Sequence, residues 1–288
     1  MSGFLGFVMR SRLSAIGIVA LGAVMPLLFW LSGAVIALVT LRRGIAEGLL
    51  ITGGAAAVLL PLYGLAVGSP MAILQPIALL WVPVLALAQI LRQTVSLAAT
   101  LQLAGVLAGL GVLAFYGLHG DPAEFWQGTL QALAEVFSAG SPGPEWQLAA
   151  EQLAPRLTGL WIANMLGIVL LCLLLGRWWQ AVLYNPGGFR EEFHSLRLTR
   201  WFAVLVLALV VGSMVTPPGI VNDLASVMGA VFLLQTLAVM HAIAAMRGWH
   251  VGWLIGAYLI LPLMLRPAAL LGLADSFVDF RARAASRA

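Results

Sequence analysis

The chain has 288 residues, 62% hydrophobic and 9% charged, and its mean hydropathy of +1.02 implies more apolar surface than one soluble core can hide. The excess lies in runs of about 20 residues, the length that crosses a bilayer as a helix, so the expectation is an all-α, polytopic membrane bundle of a single domain. The net charge of +4 sits on 15 basic residues, all arginine; they stand at the ends of apolar runs and carry no nucleic-acid signal, and the absence of lysine excludes a Walker-type ATPase and Schiff-base chemistry.

Arg10 and Arg12 precede the first apolar run, Leu13 to Leu41, and Arg42 with Arg43 follow it. If both flanks are cytoplasmic, the run enters and returns as two short helices broken near Pro26 or near Ser32-Gly33; one long kinked helix is the alternative. Ordinary spans follow at Gly44 to Val67, Pro70 to Leu91 and Thr94 to Leu118. No cleavable signal is expected, because the first run leads straight into these.

Residues 119–156 carry Asp121, Glu124, Glu135, Glu145 and Glu151 against Arg156, the balance of a loop left outside. This outer loop opens with "DPAEFW". Asp121 reads as an N-cap, Pro122 as the first helical residue, and Trp126, Leu130, Leu133 and Phe137 as the apolar stripe of an amphipathic helix. "SAGSPGP" ends it, and a short helix from Glu145 leads to Arg156 and a span from Leu157 to Gly176.

Alternation places residues 177–200, "RWWQAVLYNPGGFREEFHSLRLTR", in the cytoplasm. Its arginines fit the positive-inside bias, Trp178, Trp179, Tyr184 and Trp201 fit an interfacial belt, and Asn185-Pro186-Gly187-Gly188 makes a turn. Phe189, Phe193 and Leu196 then recur at helical spacing on the inner leaflet, with Glu191 and Glu192 turned to the cytosol. This elbow serves to orient the flanking spans, or to dock a partner through Arg190, Glu191, Glu192, Arg197 and Arg200. Spans continue over Trp201 to Thr216, Asp223 to Met246 and Val251 to Leu265, giving about eight. The tail, 267–288, reads as an interfacial helix with Leu270, Leu273, Phe277 and Phe280 on one face and Asp275, Asp279 and Arg281 elsewhere. Arg281, Arg283 and Arg287 favour the inside, which requires "LRP" at Leu265 to Pro267 to turn the chain back.

Polar residues within spans cost roughly 2.5 to 3.5 kcal/mol when charged, so function is sought there. Glu47, one turn after Arg43, reads as an ion pair at the cytoplasmic end. Deep proton-carrying carboxylates are missing, which disfavours a proton pump. Gln75, Asn164 and Gln235 can bond across helices, and with Asn222 and Asp223 they define a candidate outward-facing pocket. Gln235, Ala238, Ala242 and Ala245 share one face, and "GIAEG" and "GVLAG" allow close approach. Cys172, the single cysteine, reads as a packing residue, and His241 lacks a second ligand for a metal site. No catalytic constellation, cofactor or metal is expected.

"GRWWQAVLYNPGGFREEFHSLRL", with "LRQTVSLA" at Leu91 to Ala98, "LQTLAVMHA" at Leu234 to Ala242 and "LGLADSFVDFR" at Leu271 to Arg281, resembles the YybS-like bacterial membrane proteins, a family defined as a domain of unknown function. The helical plan of that family is similar to that of the substrate-binding S components of energy-coupling-factor transporters, and more distantly to the cell-shape protein MreD. The resemblance implies an S-component-like bundle in the bacterial inner membrane, and the first reading is a module that captures a small solute in its outer half and relies on separate ATPase subunits. The alternative is a non-catalytic scaffold or assembly factor that docks membrane or cytosolic proteins through the 177–200 loop. "SAIGIVALGAV" departs from the strict small-xxx-small ladder that S components present to their transporter. The topology is testable: cysteines placed at Gly140 and Gly188 in a Cys172→Ala background are expected to label unequally with an impermeant thiol reagent on intact spheroplasts, and equal labelling would overturn it.

Overall fold

The computed structural model describes residues 2–25, 27–138 and 143–286, and of Val67, Phe137, Ser138 and Pro144 only the backbone. Pro26, the turn at 139–142, Arg287 and the Phe137 side chain, all named above, lie outside the described residues. Among those residues the secondary structure is entirely helical. In chain order the helices are α1 (Ser2–Arg10), α2 (Arg12–Val24), α3 (Phe29–Arg43), α4 (Ile45–Val67), α5 (Pro70–Thr94), α6 (Leu97–His119), α7 (Pro122–Ser138) and α8 (Pro144–Tyr184). They continue as α9 (Gly188–His194), α10 (Arg200–Val215), α11 (Ile220–Met246), α12 (Val251–Leu263), α13 (Leu265–Val278) and α14 (Phe280–Ala285).

Five of these are long and apolar enough to cross a membrane, or up to seven if each of two bent pairs is one span, against the eight expected from the sequence. The difference lies in short helices: α2, α3 and α10 have 13, 15 and 16 residues, about 20 to 24 Å at 1.5 Å per residue. The chain groups into two compact units, Met1–Leu101 with Gly167–Leu196, and Gln102–Leu166 with Arg197–Ala288.

In the first unit, α2 and α3 form the helical hairpin anticipated from the arginine flanks, with Gly22 packed on Ser32. The arginines do more than orient it. Arg12 pairs with Glu47, Arg43 donates to the Met9 carbonyl at 2.6 Å, and Arg92 donates to the Leu41 carbonyl at 2.8 Å. The last two satisfy orphan carbonyls at the ends of α1 and α3, where a cation also meets the negative end of the helix dipole. The sequence reading did not anticipate α1, an amphipathic helix that buries Leu5, Val8 and Met9 and meets Trp179 edge-on through Phe4.

Lipid is as apolar as leucine, so helices in a bilayer associate by close packing and hydrogen bonds. Small residues therefore set this core. Gly33 faces Cys172 and Gly176 faces Ala37; the four-residue spacing on both helices makes one crossing between α3 and the end of α8. Gly48 of "GIAEG" lies against Thr40. Trp81 is fully buried and donates to Ser32 Oγ at 2.9 Å. A widened π-type turn over Ile77–Trp81 positions it, and Pro83, which cannot bond the Leu79 carbonyl, gives a reason for that widening.

The second unit is built around α11, whose most apolar window is 61% buried, against 22% for α4. Gly105 and Gly109 of "GVLAG" face Val231 and Met228 on α11, and α10 joins it through the Pro217-Pro218-Gly219 turn. The amphipathic α7 starts as anticipated, with the Ala123 amide on Asp121 Oδ1 at 2.9 Å. Trp126 ties it down, donating to Thr158 at 2.8 Å and stacking on Phe115. Where a short helix and a separate span were expected, α8 runs unbroken for 41 residues through Pro155.

The α12–α13 pair bends by 114° at Met264. Arg266, just past the bend, lies with Asn222, Asp223 and Ser226 at the start of α11, whereas Phe280, Arg283 and Ala284 lie with Met240, Ile243 and Arg247 at its end. Val251 also begins at that end, two residues after Trp249. The pair thus enters and returns, as "LRP" suggested, and α13 runs parallel to α11. The two helices come tightly together at Gly272, where an added Cβ would stand 2.1 Å from the Phe232 carbonyl oxygen. Gly272→Ala is therefore expected to lower thermal stability by about 1–3 kcal/mol. Gly53→Ala, at a position with nothing within 4 Å, should be neutral or slightly stabilising; melting in one detergent compares the two.

Candidate functional site

Three of the stretches singled out in the sequence meet in the second unit. Gln235, from "LQTLAVMHA", is fully buried. Its Oε1 accepts from the Leu198 amide at 2.8 Å, and its Nε2 donates to Asp275 Oδ2 at 2.9 Å and to Ser276 Oγ at 3.2 Å. Leu198 ends "SLRL", and Asp275 and Ser276 belong to "LGLADSFVDFR". Asp275 is likewise fully buried, and it accepts from Arg281 at 2.8 Å and from the Phe280 amide at 3.0 Å. Arg197 closes the set, donating to Asp279 at 2.7 Å and to the Asp275 carbonyl at 3.1 Å. A buried carboxylate is tolerable here because charge and lone pairs are met.

The remaining residues of the candidate pocket lie elsewhere. Gln75 is exposed in the first unit and Asn164 is exposed on α8 in the second. Asn222 and Asp223 line a hollow of about 60 Å³ with Arg156, Leu160, Ser226 and Arg266. There Tyr116 donates to Asp223 at 2.9 Å, and Gly159 brings α8 against the Asp223 backbone. That volume suits a water or a single ion; organic ligands occupy roughly 300 to 1,000 Å³. His241 meets the Tyr258 hydroxyl at 2.9 Å.

A larger hollow, of about 550 Å³, opens at the other end of α11. Val239, Met240, Ile243 and Leu271 form its apolar walls, Phe280 and Ala284 of α14 close one side, and Arg247, Trp249 and Arg283 stand at the rim. The buried polar set lies beside it, because the lining residue Thr236 follows Gln235 in sequence and the Phe280 amide donates to Asp275. The sequence reading did not name this hollow, although "LQTLAVMHA" and "LGLADSFVDFR" supply Thr236, Val239, Met240, Leu271 and Phe280 of its lining. The available signal was the apolar face of α11 beyond Gln235, followed by Arg247 and Trp249.

The elbow residues divide. Arg190, Glu191 and Arg200 are exposed. Glu192, expected in solvent, pairs instead with Arg177 at 2.7 Å; burial pushes its carboxyl above the usual range while Arg177 pulls it back. The helix ends at His194, so Leu196 lies beyond it and is buried. Phe189 and Phe193 stack with centroids 5.7 Å apart. Asp279, at a left-handed φ of 53°, caps α14. The Ala282 amide holds its carboxyl below the usual range, and Arg197 adds to this.

Among the described residues no group of three or more His, Cys, Asp or Glu is placed to hold a metal. No family model, curated protein or solved structure matches the chain.

Gln235→Leu leaves the Leu198 amide without its acceptor and removes a donor from Asp275, and is expected to cost about 1–3 kcal/mol, read as a lowered melting temperature. The lowered pKa of Asp279 stabilises the fold fully above the unfolded carboxylate range, and this is lost as pH falls through the folded value. Glu192 has the opposite sign, since its raised pKa favours the fold as pH falls. Asp279→Asn should therefore flatten the acid limb of a stability profile, whereas Glu192→Gln should steepen it.

Proposed function

We propose that this protein is a non-catalytic solute-binding component of a transport system in the bacterial inner membrane, without an ATPase of its own and similar in plan to S components. The 550 Å³ hollow at the end of α11 carries the reading. Its volume falls within the range of ligand sites, and it is bordered by the break between α13 and α14 at Asp279, next to Phe280. Such interrupted helices leave free helix ends and a movable joint inside a bundle, the arrangement that membrane transporters use beside their substrates. The buried set around Gln235 gives this joint a fixed anchor, so a change at the hollow is transmitted to Arg197 and Leu198 at the end of the elbow. On the positive-inside assignment the hollow opens toward the inner leaflet, at the end of α11 opposite Asn222 and Asp223.

A second reading, a scaffold that docks partners through the elbow, is favoured by the exposure of Arg190, Glu191 and Arg200. Substitution at Ile243 separates the two. Ile243→Trp fills the hollow without touching the elbow, so protein extracted from native membranes is expected to lose a co-purifying small molecule that the wild type retains, as seen by mass spectrometry. Identical extracts from both proteins, with a protein partner cross-linking from Ser195, would sink the solute-binding reading in favour of the scaffold.

A further inference from the structure

The rim of the hollow carries a charge pattern that the solute-binding reading leaves unused. Arg197, Arg247, Arg281 and Arg283 lie near the end of α11. Arg197 is held by Asp279 and Arg281 by Asp275, so both acids of the tail are already engaged. Arg247 and Arg283 are exposed, border the same apolar hollow, and among the described residues form no ion pair with an acidic side chain. No acidic side chain lines the hollow. An apolar trough with two guanidinium groups and an indole at its mouth is complementary to a molecule with an apolar chain and an anionic head. Arginine's planar fork matches phosphate oxygens in pairs, and Trp249, half exposed at 50%, belongs at the headgroup level.

We propose that the hollow is a binding site for an anionic phospholipid, with one acyl chain between α11, α13 and α14 and the headgroup phosphate between Arg247 and Arg283. The inference rests on the reading of the hollow as a binding site and names its ligand class. The choice of a membrane lipid over a dissolved anion follows from the walls. Val239, Met240, Ile243 and Leu271 offer a phosphate no donor, and the Thr236 hydroxyl, also in the wall, already donates to the Ala268 carbonyl, so a free anion would gain only the rim, whereas a lipid gains both. Entry needs no aqueous path, because α12, which has no buried residue, and the exposed Leu271 leave this side of the unit facing the bilayer.

The test uses full-length protein in neutral detergent, titrated with phosphatidylglycerol or phosphatidylcholine of identical chains and read by native mass spectrometry. Phosphatidylglycerol is expected to bind the wild type roughly thirtyfold more tightly than phosphatidylcholine, from the usual contribution of two arginines near an anionic headgroup. Arg247→Gln with Arg283→Gln should abolish that preference, weakening phosphatidylglycerol far more than phosphatidylcholine, and lysine at both positions should restore it only in part. Ile243→Trp should weaken both lipids alike. If the glutamine pair keeps the preference while Ile243→Trp still expels both lipids, the headgroup assignment fails and the hollow survives as a site. If Ile243→Trp changes neither, the hollow reading fails and this inference with it. Full displacement of phosphatidylglycerol by inorganic phosphate would also overturn the proposal, by assigning the rim to a free anion.

Discussion

A polar side chain inside a lipid-embedded bundle has no water to fall back on, so each one must find its partners within the protein. Gln235 meets this demand most completely. One side-chain amide joins the start of α10, the middle of α11 and the end of α13 through Leu198, Asp275 and Ser276. Asp275 extends the set to Arg281, and the Asp275 carbonyl extends it to Arg197. Losing any member strands another, and stranded polar groups in a medium of low dielectric are costly. The set therefore specifies where the elbow re-enters the bundle and where the tail must lie. That fixed tail gives the hollow its α14 wall.

Close packing supplies what the hydrophobic effect cannot supply between helices in lipid. The second unit achieves it at Gly272 on Phe232 and at Gly159 on Asp223, and the first at Gly33 with Cys172 and Ala37 with Gly176. Each contact puts a glycine where a side chain would collide with backbone or with a buried neighbour. The leucines left on the outside, such as Leu65 at 88% and Leu259 at 74% exposure, are at home against acyl chains, so a large apolar surface here calls for no further partner.

Features set by adjacent residues were legible in the sequence. The long apolar runs, the Asp121 cap, the Asn185 to Gly188 turn with its 3.0 Å bond from the Gly188 amide to the Asn185 carbonyl, and the α2–α3 hairpin all follow from local chemistry. Arginine placement, together with "LRP", also pointed to the returning tail. What depended on distant partners was not legible. Gln235 looked like either helix glue or a pocket residue, and only the fold puts Asp275 opposite it. Asp275 and Asp279 read as the polar side of an interfacial helix, because spacing alone cannot say that Arg197, some eighty residues earlier, meets one of them. The unbroken course of α8 escaped because Pro155 and Arg156 resemble a boundary, although a proline kink need not end a helix.

The hollow exists only because the α12–α13 pair returns, which brings Arg283 to the same end of α11 as Arg247. Spin labels at Arg247 and Ala285, in a Cys172→Ala background reconstituted into bilayers, measure this directly by electron–electron double resonance. A single short distance, well under the thickness of the hydrocarbon core, is the expected result. A distance of about 30 Å or more, the span of that core, would mean that the pair crosses the membrane as one broken helix and would contradict the account.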